Sequence, residues 1–246
     1  MYAYIAGTVP MSTVDYPGKI SFVIFFFFFY FRCPYCYNSD YLDFKKDFQQ
    51  NLKHTKKKIY DNKDFLDAVV LSGGEACIQT TAVLNLARFT KSIGLKLGLE
   101  TNGSKPEVIH RLLREDLIDF VGIDVKSPLN EDNFQKLTNC KTFFRNNNEV
   151  IESIKKTHNL LKNSNILVEA RTTIIPQLND NRIEEIAKTV LEFTRNWKLQ
   201  QFKPDAGVLL DKSYSSTKPL SKKEMFELKR NLLRTYPDLK IKVQAN

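Results

Sequence analysis

The chain has 246 residues, a length that suits one large domain or two small ones. It carries 37 Lys and Arg against 28 Asp and Glu, for a formal charge of +9, and 42% of its residues are hydrophobic. That hydrophobic content excludes wholesale disorder, and four Cys in a chain of this length exclude a disulfide scaffold.

We expect a cytoplasmic protein without a membrane span. The N-terminus lacks the basic, apolar and small-residue order of a signal peptide. The apolar run at residues 20–31 has twelve residues, whereas a membrane helix needs about 20, so a buried strand is the better interpretation. The positive charge is spread along many segments and no nucleic-acid-binding motif accompanies it, so we expect no nucleic-acid partner.

Strand and helix patterns alternate along the chain. The predicted strands are residues 19–29, 67–71, 95–100, 118–125, 166–175, 199–202 and 239–243. The predicted helices are residues 80–93, 106–114, 149–161, 181–194 and 221–234. Residues 38–64, rich in Asn, Lys and Asp, form an excursion from this pattern.

This repeated order of strand and helix, with short connections, predicts a parallel sheet covered by helices, either a barrel or a doubly wound sheet. Both architectures place their chemistry at the C-terminal ends of the strands. No linker is long enough to force a boundary. We therefore expect a single domain over residues 1–246, with an N-terminal lead-in at 1–18 and a C-terminal extension from about 205 to 246.

A close pair of cysteines, Cys33 and Cys36, follows the first predicted strand in the motif Cys-Pro-Tyr-Cys. Two thiolates at this spacing can hold one metal or cluster, because the turn directs both sulfurs inward. The same motif is the dithiol signature of glutaredoxins, although those domains are much shorter and more than 200 residues follow it here. A third interpretation is a pair of small buried cysteines, which is also what we expect of Cys77 and Cys140.

A second motif, Ser72-Gly73-Gly74-Glu75, ends the second predicted strand. Adjacent glycines let a backbone come close to a ligand, and a carboxylate beside them can accept hydrogen bonds from an ammonium group. Alone, this motif indicates only a turn. Together with the cysteine loop it is a much stronger signal.

With these two motifs the sequence resembles the radical S-adenosylmethionine (SAM) superfamily over most of its length. It is most similar to the activating enzymes of glycyl-radical enzymes, in particular the anaerobic ribonucleoside-triphosphate reductase activating proteins. The segments that carry the resemblance are residues 12–19 (STVDYPGK), 32–38 (RCPYCYN), 71–75 (LSGGE), 100–103 (ETNG), 124–126 (DVK) and 200–204 (QQFKP).

The resemblance implies a partial (β/α)6 barrel that holds a 4Fe–4S cluster through three cysteines in a C-x-x-x-C-x-x-C loop, with SAM on the fourth iron. It implies reductive cleavage of SAM to a 5′-deoxyadenosyl radical, which takes a hydrogen atom from a glycine of a partner enzyme. The implied partners are a glycyl-radical enzyme, namely anaerobic ribonucleoside-triphosphate reductase, and an electron donor such as flavodoxin or ferredoxin. A deep barrel suits this chemistry because it shields a radical from solvent.

The resemblance also assigns roles to individual residues. Cys33 and Cys36 match the second and third cluster ligands. The implied cofactor-binding residues are Tyr35 near the adenine, Gly73, Gly74 and Glu75 at the SAM amino group, and Asn102, Asp124, Lys126 and Arg171 as weaker candidates that line the cavity.

Each weaker candidate also has an ordinary structural interpretation. Asn102 shapes a turn, Asp124 and Lys126 form an ion pair at a strand end, and Arg171 pairs with Glu169 or another carboxylate. The sequence leaves both interpretations open for each of these residues.

One position departs from the family pattern. The first cluster cysteine should stand four residues before Cys33, where this chain has Phe29. Phe27 and Phe28 stand where small or polar residues usually precede that cysteine, and Tyr30 follows it. Phenylalanine has no lone pair for iron and is bulky where the cluster should lie.

Three explanations of Phe29 remain open. The chain is a true radical enzyme whose sequence carries an error or mutation, since Cys and Phe codons differ by one base. Alternatively it is a degenerate, non-catalytic protein that keeps the scaffold and a partner-binding role. In the third, another residue completes the cluster, with Cys77 as a weak substitute.

Overall fold

The computed structural model describes residues 1–36, 48–140, 142, 145–205 and 209–245. Its strands are β1 (Tyr2–Ser12), β2 (Ser21–Phe26), β3 (Gln49–Asn51), β4 (Ala68–Gly73), β5 (Lys96–Thr101), β6 (Phe120–Asp124), β7 (Leu167–Ile174), β8 (Asn196–Gln201) and β9 (Lys240–Gln244). Its helices are α1 (Leu52–Asp61), α2 (Thr80–Ser92), α3 (Pro106–Arg114), α4 (Glu131–Thr138), α5 (Asn147–Lys162), α6 (Asp180–Phe193) and α7 (Lys222–Thr235).

All nine strands join one sheet in the order β3-β1-β2-β4-β5-β6-β7-β8-β9. Each neighbouring pair from β2 to β9 is parallel, while β1 runs antiparallel to β2 and to β3. The two end strands of this order do not pair with each other within the described part of the chain. The prediction of an α/β partial barrel is therefore confirmed, with β9 as one more parallel strand than the six expected.

The alternating pattern predicted the seven parallel strands and five of the helices, with ends displaced by a few residues. The first predicted strand is shorter than residues 19–29: the ladder between β2 and β4 ends at Phe26. Beyond it, Phe28 takes a positive φ that no strand contains.

The sequence patterns did not predict four of the described elements, namely β1, β3, α1 and α4. The ladder of β1 shifts register twice, so its side chains show no clean two-residue alternation. Helix α1 lies inside the predicted excursion and buries only Leu52, Thr55 and Ile59, a narrow stripe that its Lys residues obscure. The rest of the excursion up to residue 47 lies outside the described residues.

The two faces of the sheet differ in chemistry. Phe22, Ile24 and Phe26 of β2 join the large apolar core that the helices cover, whereas Val23 joins a small apolar cluster on the inner face. Tyr16 completes that small cluster from the segment that precedes β2, with its ring centroid 5.0 Å from that of Phe120. The inner face is therefore filled where the strands begin, which leaves its polar part towards their C-terminal ends.

In the part of the chain that the structure describes, no helix combines the length and the apolar character needed to cross a membrane.

Burial of one histidine makes the fold sensitive to pH. His158 of α5 is 5% exposed, its ring stacks on Phe193 at 4.1 Å, and its Nε2 has no hydrogen-bond partner among the described residues. Desolvation lowers the pKa of His158 to about 4. The unfolded chain, with a histidine pKa of about 6.5, therefore takes up the proton first as the pH falls.

The stabilising contribution of neutral His158 is thus complete above about pH 6.5 and is lost as the pH falls towards 4. Between pH 8 and pH 5 we expect the natural protein to lose about 2 kcal/mol more unfolding free energy than His158→Phe, which keeps an aromatic ring against Phe193. Urea unfolding at both pH values measures this difference. Equal losses in the two proteins would contradict it.

Candidate functional site

The loop that follows β2 carries the cysteine pair and is held on two sides. The backbone N–H of Arg32 donates to the carbonyl of Thr138 at 2.9 Å, at the end of α4. The N–H of Cys36 donates to the carbonyl of Cys33 at 2.9 Å and closes the turn. The N–H of Leu210 then donates to the carbonyl of Cys36 at 3.0 Å, so the segment after β8 fastens the far side. Tyr37 and Asn38, which the family motif includes, lie outside the described residues.

The two thiols lie beside the charged end of β6. Cys33 is 2% exposed, Cys36 is half-buried, and the Tyr35 side chain lies beside that of Cys33. Burial raises the pKa of Cys33 to about 12, while the nearby Lys126 ammonium acts against that rise. The negative charges of Asp124 and of both cysteine thiolates in turn raise the pKa of Lys126. The structure therefore brings together Cys33, Tyr35, Cys36, Asp124 and Lys126, and their roles towards a cluster or SAM stay predictions.

The Gly-Gly-Glu turn packs directly on the backbone that precedes the cysteines. Gly73 has a φ of +109°, and a Cβ there would lie 2.2 Å from the backbone nitrogen of Phe26. A Cβ on Gly74 would lie 2.3 Å from the carbonyl oxygen of Phe28. The sequence suggested that these glycines admit a ligand, and the structure adds a second reason for them, because they let two loops meet backbone to backbone.

Glu75 holds the same turn against the end of β5. Its buried carboxylate accepts hydrogen bonds from the N–H of Cys77 at 3.1 Å, the hydroxyl of Thr101 at 2.8 Å and the N–H of Asn102 at 2.8 Å. Burial raises the pKa of Glu75, and these hydrogen bonds oppose the rise. The predicted contact of Glu75 with an amino group stays a prediction, and in this structure the carboxylate joins β4 to β5.

Asn102 has the predicted turn contact and a side-chain donor without a partner among the described residues. Its Oδ1 accepts from the N–H of Ser104 at 2.8 Å, which is the predicted role in a turn. Its Nδ2 is buried with no hydrogen-bond partner among the described residues. A buried amide donor of this kind is available to a ligand or an ordered water, so the turn role leaves the predicted ligand contact in place.

The weaker candidates at β6 and β7 form ion pairs. Lys126 Nζ lies 2.6 Å from Asp124 Oδ2. Arg171 donates from Nε to Glu169 at 3.1 Å and from Nη1 to Glu100, and both partners are buried or nearly so. The structural interpretation of these residues is thus confirmed, and their role towards SAM stays a prediction.

Lys198, which the sequence analysis did not single out, extends this network across the inner face, as does a contact between Ser72 and Glu100. Ser72 donates to Glu100 at 2.5 Å, and Lys198 of β8 lies 2.9 Å from Glu169. Glu169 and Arg171 stand two residues apart on β7, so they share a face. That spacing was the available signal, whereas the contribution of β4, β5 and β8 depends on strand order, which the sequence did not specify.

The thiols present do not fit a cluster held by three cysteines. The position four residues before Cys33 is Phe29, whose buried ring has no donor atom and packs 5.4 Å from that of Phe31. Within the described ranges no three His, Cys, Asp or Glu side chains lie close enough together to hold a metal. Cys77, the proposed substitute, is fully buried with its sulfur 3.8 Å from the Thr101 hydroxyl.

Comparisons with known proteins identify the family of the chain. The radical SAM superfamily profile matches residues 30–190. The chain is 40% identical over 207 residues to a putative glycyl-radical enzyme activating enzyme of Methanocaldococcus jannaschii, covering 83% of this chain and 82% of that protein. It is 31% identical over 192 residues to the pyruvate formate-lyase 1-activating enzyme of Escherichia coli K12, covering 75% of this chain and 72% of that protein.

Two solved structures share the fold. Streptococcus suis SuiB bound to S-adenosylmethionine matches with a TM-score of 0.63 and 14% identity, covering 89% of this chain and 48% of SuiB. This chain thus spans about half the length of SuiB. Escherichia coli QueE matches with a TM-score of 0.57 and 13% identity, covering 100% of this chain and 95% of QueE.

Because Gly73 lies so close to the backbone of Phe26, we expect one added methyl group there to lower the stability of the fold unusually strongly. We expect Gly73→Ala to lower the unfolding free energy by about 3 kcal/mol, because a positive φ and a collision with rigid backbone act together. Gly94→Ala is the matched control, since Gly94 has a φ of +80° and open space around it. Its expected loss is about 1 kcal/mol. Urea unfolding compares the two, and equal losses would disprove the backbone collision.

Proposed function

The chain belongs to the radical SAM superfamily and to its family of glycyl-radical enzyme activating enzymes, and on that premise we propose that its partner is an anaerobic ribonucleoside-triphosphate reductase. The protein is an activating enzyme of the oxidoreductase type, in a family that uses a 4Fe–4S cluster and SAM. The proposed activity, which requires a third cluster thiolate at the position of Phe29, is the installation of a glycyl radical on that reductase. The electron donor is a flavodoxin or ferredoxin, and the net charge of +9 favours an acidic protein of this kind.

The observation that carries the proposal is the meeting of two motif turns at the C-terminal edge of the sheet. The N–H of Gly74 donates to the carbonyl of Phe26 at 2.8 Å, and the N–H of Glu75 donates to the carbonyl of Phe28 at 2.9 Å. Asp124 and Lys126 approach the thiols of the same loop from β6. This edge, where an α/β barrel places its chemistry, thus unites the motifs that the family resemblance singled out.

The choice of reductase rests on two further segments. Residues 12–19 and 200–204 carry the resemblance to the reductase activating proteins. In the first segment, the backbone carbonyl of Asp15 accepts a hydrogen bond from Arg171 Nη2 at 3.3 Å. The second begins in β8, whose Lys198 pairs with Glu169. Both segments therefore adjoin the same ion-pair network on the inner face, where a partner's glycine-bearing segment can be bound and shielded from water.

A dithiol oxidoreductase is a poorer interpretation of the same loop. The attacking group in such chemistry is a thiolate, which an exposed or electropositive site with a lowered pKa provides. Cys33 instead is 2% exposed, and burial raises its pKa to about 12.

The preference of the chain for one partner can be measured as the affinity of complex formation, which requires no cofactor. We expect the chain to bind an anaerobic ribonucleoside-triphosphate reductase at least tenfold more tightly than pyruvate formate-lyase, as measured by sedimentation velocity with each purified partner. A variant with cysteine in place of Phe29 is needed for the radical itself. With SAM and reduced flavodoxin, that variant is expected to give the glycyl-radical doublet in the reductase by electron paramagnetic resonance (EPR). A reductase whose radical glycine is replaced by alanine is the control.

Tighter binding to pyruvate formate-lyase, with the radical formed there, would contradict the proposed partner and leave the family assignment unaffected.

A further inference from the structure

The backbone at Phe28 has a conformation that phenylalanine rarely adopts. Within the described part of the chain, positive φ at a residue other than glycine occurs at Phe28 (+85°), Asp116 (+51°) and Asn139 (+40°). Asp and Asn tolerate this region because their short polar side chains form local hydrogen bonds. A bulky aromatic residue has no such compensation, so Phe28 is the outlier of the three.

The fold, and not the Phe28 side chain, imposes this conformation. The carbonyl of Phe28 accepts from the N–H of Glu75 at 2.9 Å, and the carbonyl of Phe26 accepts from the N–H of Gly74 at 2.8 Å. The close approach of Gly74 to the Phe28 carbonyl leaves no room for the turn to relax. The backbone therefore favours glycine at position 28.

The next side chain enters the apolar interior beside the cysteine loop. Phe29 is 9% exposed, and its ring lies 5.4 Å from that of Phe31, which in turn meets Phe134 edge-on at 5.4 Å. Phe29 stands four residues before Cys33, the distance at which the family places its first cluster thiolate.

We infer that residues 28 and 29 occupy a backbone built for Gly-Cys, and that the natural chain with Phe28-Phe29 assembles no stable 4Fe–4S cluster. The inference rests on the proposed function, because it concerns the same site, and it restricts the radical activity to a chain that has the third thiolate. In cluster assembly each cysteine thiol loses a proton to solvent and the resulting thiolate binds one iron, with no change in the oxidation state of sulfur. Two thiols cannot occupy the three protein-bound positions.

The remaining cysteines do not replace the missing thiolate. Cys77 is fully buried beside the Glu75 carboxylate, and burial together with that negative charge raises its pKa well above the ordinary value. Cys140 is buried beyond the end of α4, and within the described residues it forms no metal-ligating group of three side chains with Cys33 and Cys36.

The test is anaerobic reconstitution of the full chain with iron and sulfide, in the absence of any partner enzyme. Four proteins are compared: the natural chain, Phe28→Gly, Phe28→Gly/Phe29→Cys and Phe28→Gly/Phe29→Ser. Iron and acid-labile sulfide per chain are measured, together with the EPR spectrum after reduction. The Ser variant is the matched control, because it differs from the Cys variant by a single atom.

We expect about four irons per chain in the Cys variant and at least fourfold less in the other three proteins. Phe28→Gly alone is expected to raise Tm by about 2–4 °C, because it relieves the backbone strain without adding a ligand. Phe29→Cys alone keeps Phe28 and serves as a second route to the third thiolate if the double variant folds poorly.

Four irons in the natural chain, or equal iron in the Cys and Ser variants, would overturn the inference. A lower Tm for Phe28→Gly would overturn its backbone part. Because iron is counted without a partner, these outcomes are distinct from a failure to bind or activate the reductase, which would contradict only the proposed function.

Discussion

The close approach of two backbones, where β2 and β4 end, is the contact on which the site depends. Gly73 and Gly74 bring the Gly-Gly-Glu turn against Phe26 and Phe28, at distances that a Cβ atom would prevent. This contact sets the path of the chain into the cysteine loop. It also places Glu75, whose carboxylate then organises the end of β5. Small residues at one turn thus determine the geometry of three strand ends.

Buried ion pairs also join strand ends to one another on the inner face. Arg171 pairs with both Glu100 and Glu169, and Lys198 and Lys242 also lie beside Glu169. Breaking such a set by removing one partner is strongly destabilising, since a buried charge is left without compensation. The network therefore links β5, β7 and β8 rigidly, while the small apolar cluster around Tyr16 fills the space below it.

Local patterns predicted the parallel strands, most helices and the residues that gather around the thiols. The cysteine spacing and the Asp124-x-Lys126 motif are short-range signals, so they could be read directly. The partners of Glu75, and Glu100 as a partner of Arg171, could not, because Thr101 and Glu100 reach them through the order of strands in the sheet. The conformation of Phe28 was equally hidden, since a turn from a neighbouring strand imposes it against the preference of the residue itself.

Tyr16 has a consequence for the kinetics of the enzyme. Its ring and that of Phe120 occupy the inner face where the strands begin, so the edge near Cys33 is the approach to the Arg171 network. If a large partner covers that edge, a small ligand has to arrive before it, and spent product has to wait until the partner leaves. Binding would then follow a compulsory order, with the small ligand first and the partner second.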